Sequence, residues 1–154
     1  MFETITVSAS SVPSGSFASM AIVSIDTVQS YHAHIYFDGP EQANIAKTLR
    51  ERIAERFSVV MGRWWDEPIG PHARPMYQVA FAPDDFARVV PWLMLNRHGL
   101  AILIHPNTRH PRRDHLSDAL WLGEILAIKA DPFLVEHEAP EPPLVPNTSP
   151  TVVP

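Results

Sequence analysis

The chain has 154 residues, of which 45% are hydrophobic and 19% charged, a balance typical of one folded globular domain. Its formal net charge is −5, so it lacks the basic surface that binding to phosphates requires, and no nucleic-acid partner is expected. It contains no cysteine. Disulfides and thiolate metal sites are therefore excluded, and any metal must be bound by nitrogen or oxygen atoms.

Segments of biased composition flank the central part of the chain. Residues 1–24 are Ser-rich, lack the pattern of a signal peptide, and predict a flexible tail. Residues 138–154 are Pro-rich and predict an extended or disordered tail, either solvated or docked on a partner. A single domain is therefore predicted over residues 25–137. No apolar run reaches the about 18 residues of a membrane span, so a cytoplasmic protein is expected.

Strands and helices alternate within the predicted domain. Side-chain periodicity predicts strands at residues 31–37, 58–61, 76–81 and 100–105, and amphipathic helices at 41–57 and 83–98. Pro91 is expected to kink or split the second helix. The order β-α-β-β-α-β predicts an α+β, ferredoxin-like fold with residues 113–135 as an appendage. One sheet face would lie under the helices, and the appendage or a second subunit would cover the other, so a homodimer is expected.

The histidines of the first strand occupy the sheet face opposite the core. Strand parity puts the apolar residues of 31–37 on one face and His32 and His34 on the other. In the predicted topology the last strand is an antiparallel neighbour, so His105 at its end should lie beside them. Because Cα atoms two residues apart are ~6.6 Å apart along a strand, His32 and His34 can share one metal ion.

Other polar residues are further candidates for the same site. Asp114 and His115 follow His105 closely and could fold back onto it, whereas His72 joins only if the loop over residues 62–75 crosses the open face. Tyr36 could donate a proton or bind a metal. The remaining side chains have simpler interpretations. Trp64 and Trp65 are read as core or interface residues rather than pocket walls, Asp38 as a turn or helix-cap residue, and His98, His110 and His137 as surface residues.

Four sequence blocks between about residues 29 and 126 resemble one known family. They are YHAHIYFD, GPHARPMYQVAF, NRHGLAILIHPNT and RDHLSDALWLGE, in that order. Together they are similar to the DOPA 4,5-dioxygenase family. The resemblance implies a ferredoxin-like fold and extradiol cleavage of a catechol by O2 with non-haem iron(II). Ala73 stands where the family's third block usually has proline, and Asp118 where a second histidine is often found.

The resemblance maps the family's histidine blocks onto His32, His34, His72, His105 and His115. Nitrogen and oxygen ligands in a facial arrangement suit Fe(II) with open positions. His32, His34 and His105 are therefore the candidate metal ligands. The candidate catalytic acid/base is His72 or His115, because imidazole exchanges protons near neutral pH. Asp114 remains an alternative third ligand.

Two other classes of protein fit parts of the pattern. A non-catalytic dimeric module could use the histidines of the open face to bind a metal or a small aromatic ligand. A metal-free phosphoesterase would need a His-x-Ser/Thr pair on each of two strands. Here Tyr36 follows His34 and Asn107 follows His105 at those positions, so the phosphoesterase interpretation is disfavoured.

Overall fold

The computed structural model describes residues 21–154. The tail predicted over residues 1–24 therefore falls for the most part outside the described residues. The strands are β1 (Ser30–Tyr36), β2 (Val60–Trp65), β3 (Met76–Phe81), β4 (Ile102–Asn107) and β5 (Leu120–Leu122). The helices are α1 (Gly39–Arg56), α2 (Phe86–Asn96) and α3 (Pro111–Leu116), and short 3-10 turns cover Ile25–Thr27 and Pro83–Asp85.

The five strands form one sheet in the order β2-β3-β1-β4-β5, and every neighbouring pair is antiparallel. The first four strands and the first two helices follow the predicted β-α-β-β-α-β order. The appendage contributes α3 and β5, and β5 extends the sheet beside β4. The α+β, ferredoxin-like prediction is confirmed, with a fifth strand added at one edge.

One face of the sheet packs against α1 and α2. The apolar side of β1, including Ala33 and Ile35, contacts Leu49 and Ile53 from α1 and Leu93 from α2 in one buried cluster. Each fully buried side chain of this kind contributes about 1.5–3 kcal/mol to folding relative to an exposed one. This burial leaves the other side of β1, with its histidines, directed away from the helices.

The second face of the sheet lies under the appendage. Tyr36, Met76, Ala101 and Leu103 form its buried apolar layer. The residues packed against this layer come from the β2–β3 region and the appendage: Trp65, Ile69, Ala119, Trp121, Leu126 and Ile128. Since the chain itself covers this part of the face, a second subunit is not needed to bury it. The homodimer stays a prediction.

Strand β2 continues to Trp65, beyond its predicted end at residue 61. The alternation of side chains does not reveal the later residues, because a bulge interrupts it. The register with β3 shifts between Met61 and Trp64. Gly62 sits within the bulge, where a Cβ would lie 2.9 Å from the carbonyl oxygen of Gln78. Trp64 packs against the helix-side core, as expected for a core residue, and Trp65 packs on the opposite face.

Two proline positions differ from the sequence-based expectations. Helix α2 runs unbroken from Phe86 to Asn96 with Pro91 inside it, so the helix is not split. Strand β4 continues through Pro106 to Asn107. Proline has no backbone N–H to donate, but β5 pairs with β4 only over residues 102–104. No neighbouring strand therefore needs a hydrogen bond from Pro106 on that side. Among the helices of residues 21–154, none is long and apolar enough to cross a membrane.

The Pro-rich segment runs along the domain rather than away from it. We call residues 138–152 the strap. The side-chain amide of Asn147 accepts from the N–H of Met61 at 2.7 Å and donates to its carbonyl at 3.0 Å. Thr148 donates to the carbonyl of Phe57 at 2.6 Å and accepts from the N–H of Val59 at 2.9 Å. The strap thus satisfies backbone groups at the β2 edge of the sheet; the domain boundary at residue 138 stays a prediction.

Candidate metal centre

Three histidines meet where β1 and β4 lie side by side. The register pairs His32 directly with His105, and His34 follows two residues later on the same face. All three are buried, with exposed fractions of 8% for His32 and 2% for His34 and His105. The strand topology therefore brings His105 to the first two histidines, as expected from the sequence.

The ring nitrogens of His34 and His105 are in direct contact. Their Nε2 atoms are 3.0 Å apart, and Nδ1 of His105 lies 2.8 Å from the carbonyl oxygen of Pro106. A carbonyl oxygen can only accept, so the Nδ1–H of His105 donates to it and Nε2 of His105 carries a lone pair. His34 then donates its Nε2–H to His105, while its own Nδ1 is buried without a hydrogen-bond partner.

His72 reaches the cluster because the β2–β3 loop crosses the open face. The backbone N–H of Lys129 donates to the carbonyl of Pro71 at 2.8 Å, and His72 forms an isolated bridge with Ile128. These contacts hold the imidazole of His72 with its centroid 4.1 Å from that of His34. The loop over residues 62–75 thus crosses the open face of the sheet, which is the condition for His72 to join the site.

The hydroxyl of Tyr36 orients His72. Its oxygen lies 2.7 Å from Nδ1 of His72. Burial raises the pKa of Tyr36 above its usual value, so the phenol stays protonated and can donate to Nδ1. The sequence marked Tyr36 as a possible proton donor, but nothing in it indicated this partner.

His115 completes the cluster from the first turns after β4. It lies on α3, and its Nδ1–H donates to the carbonyl of Pro111 at 2.8 Å. Its ring centroid is 3.8 Å from that of His105. Because Nδ1 is the donor, Nε2 of His115 carries a lone pair, as in His105.

The five imidazoles form two overlapping groups that could each hold one metal ion. One consists of His32, His34 and His105, and the other of His34, His72 and His115; within each group the ligand atoms lie within 4.8 Å of one another. The first group is the predicted ligand set. The second contains both residues predicted as acid/base candidates, and His34 belongs to both groups.

Burial keeps most of these imidazoles neutral. Desolvation is the main cause that lowers the pKa of His34 and of His105 well below the usual 6.5, and repulsion from neighbouring histidines adds to it. Burial likewise lowers the pKa of His72 to about 4 and shifts that of His115 downward. Neutral imidazoles have the lone pairs that metal binding needs.

Asp114 is buried next to the centre but has other partners. Its carboxylate accepts from the backbone N–H of Thr108 at 2.8 Å and from the hydroxyl of Thr108 at 2.5 Å. Both oxygens are therefore used to hold the turn between β4 and α3. Among the described residues, Asp114 belongs to neither metal-binding group.

One carboxylate near the centre was missed by the sequence reasoning. Glu141, in the strap, has an oxygen 3.6 Å from Nε2 of His32. The contact with His32 is the main cause that lowers the pKa of Glu141. Its position in a Pro-rich segment carried no signal of a site. The other histidines lie elsewhere, with His110 and His137 in edge-to-face contact at 4.5 Å between ring centroids.

The donor atoms fit a divalent transition metal. The set is all nitrogen, buried and mostly neutral, and backbone carbonyls fix the tautomer of His105 and His115. Two nitrogens at right angles about a metal, each about 2.1 Å from it, would lie about 3.0 Å apart. The Nε2 atoms of His34 and His105 are 3.0 Å apart. A metal between them would replace the hydrogen that His34 donates, and the hydrogen of His34 would then reside on Nδ1, which has no hydrogen-bond partner. Imidazole ligands suit iron, zinc, copper and nickel.

Fold and site together define a class: a ferredoxin-like α+β protein with a buried polyhistidine centre on the face of the sheet opposite its helices. The model of the Dopa 4,5-dioxygenase family matches residues 31–132. The chain therefore belongs to the Dopa 4,5-dioxygenase family. All five clustered histidines lie within the matched residues, and Glu141 lies outside them.

Several proteins are similar to this chain. An uncharacterised 21.2 kDa protein of Botryotinia fuckeliana is 40% identical over 110 residues, which are 64% of this chain and 60% of that protein. The DOPA 4,5-dioxygenase of Amanita muscaria is 32% identical over 104 residues, 62% of this chain and 46% of the enzyme. This chain thus spans less than two thirds of the length of either relative.

A solved structure is also similar. A crystal structure of a "putative dioxygenase" from Nostoc punctiforme superimposes with a TM-score of 0.69 at 49% sequence identity, covering 70% of this chain and 93% of that one. The similarity extends over nearly the whole of that protein, so the two share the fold described above.

Proposed function

We propose that the chain is a non-haem Fe(II)-dependent extradiol dioxygenase that opens the ring of a DOPA-like or other catechol with O2. The observation that carries this proposal is the convergence of five imidazoles, from β1, β4, α3 and the β2–β3 loop, on one buried spot. Membership of the Dopa 4,5-dioxygenase family supports the same chemistry. Fe(II) is the proposed cofactor.

His32, His34 and His105 are the proposed ligands. They come from adjacent positions of two paired strands, so the sheet itself fixes their spacing. Bound Fe(II) would supply the redox centre and the open coordination positions that extradiol chemistry requires. The hydrogen bond from His105 to the carbonyl of Pro106 supports this role, because it holds the ring and directs the Nε2 lone pair away from the backbone.

His72 is the proposed acid/base. With Tyr36 donating to its Nδ1, the hydrogen of neutral His72 resides on Nε2, where it can be donated to an oxygen of the substrate or product. Burial lowers the pKa of His72, so a proton that the ring does take up is readily released. His115 is the other candidate, with a free lone pair on Nε2 and a ring packed against His105. His115 can accept a catechol proton at Nε2 and return it to the product. His72 can donate its Nε2–H, and it can accept a proton at Nδ1 only when the hydroxyl of Tyr36 turns away from that atom.

A cavity next to His32 offers space for a small substrate. Its volume is about 430 Å³, and its lining includes His32, Gln78, Asn107 and Glu141. Pockets for small molecules usually measure about 300–1,000 Å³. The cavity combines apolar walls with a few polar groups, which suits a catechol.

The test combines metal analysis with a catechol panel. Protein reconstituted anaerobically with Fe(II) is expected to bind one iron with micromolar or tighter affinity and to convert a catechol to a yellow ring-opened product on admission of O2. Chelation should abolish turnover. If the reconstituted protein binds no iron and converts no catechol, the proposal is wrong.

Single-alanine variants separate the two possible ligand groups. If His32, His34 and His105 bind the iron, alanine at each of them removes it, whereas alanine at His72 or His115 keeps the metal and lowers turnover. The opposite pattern, with iron lost from the His72 and His115 variants and retained by the His32 and His105 variants, assigns the second group. Light scattering of the same preparations tests the proposed homodimer.

A further inference from the structure

The strap connects the metal centre to the far edge of the sheet. Near its start, the N–H of Glu138 donates to the carbonyl of Arg109 at 3.0 Å. Near its end, the N–H groups of Thr151 and Val152 donate to the carbonyl of Glu55 at 2.8 and 2.9 Å. Between these points lies Glu141. The strap is therefore attached on both sides of Glu141, whose carboxylate contacts His32.

Asn147 anchors the strap on β2. Its side-chain amide makes two hydrogen bonds with the backbone of Met61, at 2.7 and 3.0 Å, so it pairs with the strand edge as a neighbouring backbone would. Thr148 adds bonds to Phe57 and Val59. A side chain that pairs so specifically fixes the register of the strap, and with it the position of Glu141.

The contact between Glu141 and His32 selects one state of the imidazole. The carboxylate oxygen lies 3.6 Å from Nε2 of His32, within ion-pair range though longer than an ordinary hydrogen bond. An ionised carboxylate can only accept, so the contact favours the tautomer with the hydrogen on Nε2. In that tautomer the lone pair is on Nδ1 of His32, which is the atom that would bind a metal.

We propose that Glu141 is a positioning residue for the metal centre: held by the strap, it fixes the tautomer and orientation of His32 as a ligand. This inference rests on the proposed function. The residues of the strap lie outside the family match, which covers residues 31–132. Carboxylates that hold a ligating histidine are a general feature of metal sites, and their loss usually costs about 10–100-fold in metal affinity or activity.

The experiment compares Glu141→Gln with Glu136→Gln. The second variant is a matched control from the neighbouring segment, because the carboxylate of Glu136 faces Arg112 at 3.5 Å and is largely exposed. Fe(II) affinity is measured by anaerobic equilibrium dialysis. The His32 tautomer is read from ¹⁵N chemical shifts of the metal-free protein. Glu141→Gln should weaken Fe(II) binding about tenfold and reduce the Nε2–H form, while Glu136→Gln changes neither.

Asn147→Ala provides a second route to the same result. It leaves Glu141 intact but removes the anchor on Met61. Fe(II) affinity and the fraction of His32 in the Nε2–H form should therefore both fall, each by a smaller factor than in Glu141→Gln. If Glu141→Gln binds Fe(II) within twofold of wild type, the inference is wrong although the proposed function stands. Weaker binding with an unchanged His32 tautomer also overturns it, because Glu141 would then act otherwise than through His32. A wild-type protein that binds no Fe(II) overturns both proposals.

Discussion

The hydroxyl oxygen of Tyr36 lies 2.7 Å from Nδ1 of His72, although the two residues are 36 positions apart in the chain. Tyr36 is fully buried at the end of β1, and His72 belongs to the loop between β2 and β3. Their contact requires the loop to fold across the sheet. The contact also means that Tyr36 orients His72, the proposed acid/base. Tyr36 lies on β1, the same strand that supplies His32 and His34 as proposed metal ligands.

Replacing Tyr36 with phenylalanine should separate catalysis from folding. Loss of the hydroxyl leaves Nδ1 of His72 without its donor, so we expect turnover of a catechol to fall about tenfold or more with iron content unchanged. Tyr77→Phe is the matched control, because that buried hydroxyl donates to the carbonyl of Ala46 on the helix side. Both variants should lose about 1 kcal/mol of unfolding free energy, measured by urea denaturation. Equal turnover in the two variants would contradict the role of Tyr36.

The free energy of unfolding of the metal-free protein should depend on pH through His72. Its pKa is lowered from 6.5 to about 4 in the folded state, so between these values the unfolded chain binds more protons than the folded one. Stability is then complete above about pH 6.5 and is lost as pH falls toward 4. At about 1.4 kcal/mol per pKa unit, the loss by pH 4 amounts to roughly 3 kcal/mol.

Denaturant unfolding of two variants isolates this contribution. His72→Gln should reduce the pH dependence between pH 7 and pH 4 relative to wild type without abolishing it, because one of the four imidazoles with a lowered pKa is absent while His34, His105 and His115 remain. His98→Gln changes an exposed histidine and should leave the dependence as it is. A wild-type profile that His72→Gln does not alter would mean that His72 titrates alike in both states.

Metal binding should stabilise the fold, and His34 should be indispensable for it. His34 belongs to both possible ligand groups, so either assignment gives the same expectation. At a free Fe(II) concentration of 100 times its dissociation constant, the gain is about 2.7 kcal/mol. Anaerobic thermal unfolding should register it as a higher Tm in wild type and in His98→Ala. His34→Ala should give no shift, and a shift equal to that of wild type would remove His34 from the ligand set.

Asp114 should prove to be structural. Its carboxylate is occupied by the N–H and hydroxyl of Thr108, and removing a buried acceptor from such a pair costs about 1–3 kcal/mol. We therefore expect Asp114→Ala to lower the free energy of unfolding by that amount while iron stoichiometry stays at one. Thr108→Val tests the same turn from its other side. Loss of iron from a folded Asp114→Ala protein would instead support Asp114 as a ligand.

The placement of β1 and β4 could be derived from the sequence because its causes are local. Alternation along β1 separates His32 and His34 from Ala33 and Ile35, and burial of the apolar side fixes which face looks outward. Once the order of elements predicts the topology, His105 must come beside His32. The structure adds that His32 and His105 lie directly opposite each other, a register that the element order by itself leaves open.

The sequence alone therefore determined the α+β class, the face that carries the histidines and the meeting of His105 with the first pair, since all three follow from side-chain period and element order. The tertiary structure decided the rest. His72 joins the centre through the bonds of its loop to Ile128 and Lys129, and Glu141 through the anchoring of Asn147 on Met61. Neither contact has a periodic signal, because an irregular segment takes its position from distant partners that sequence spacing does not encode.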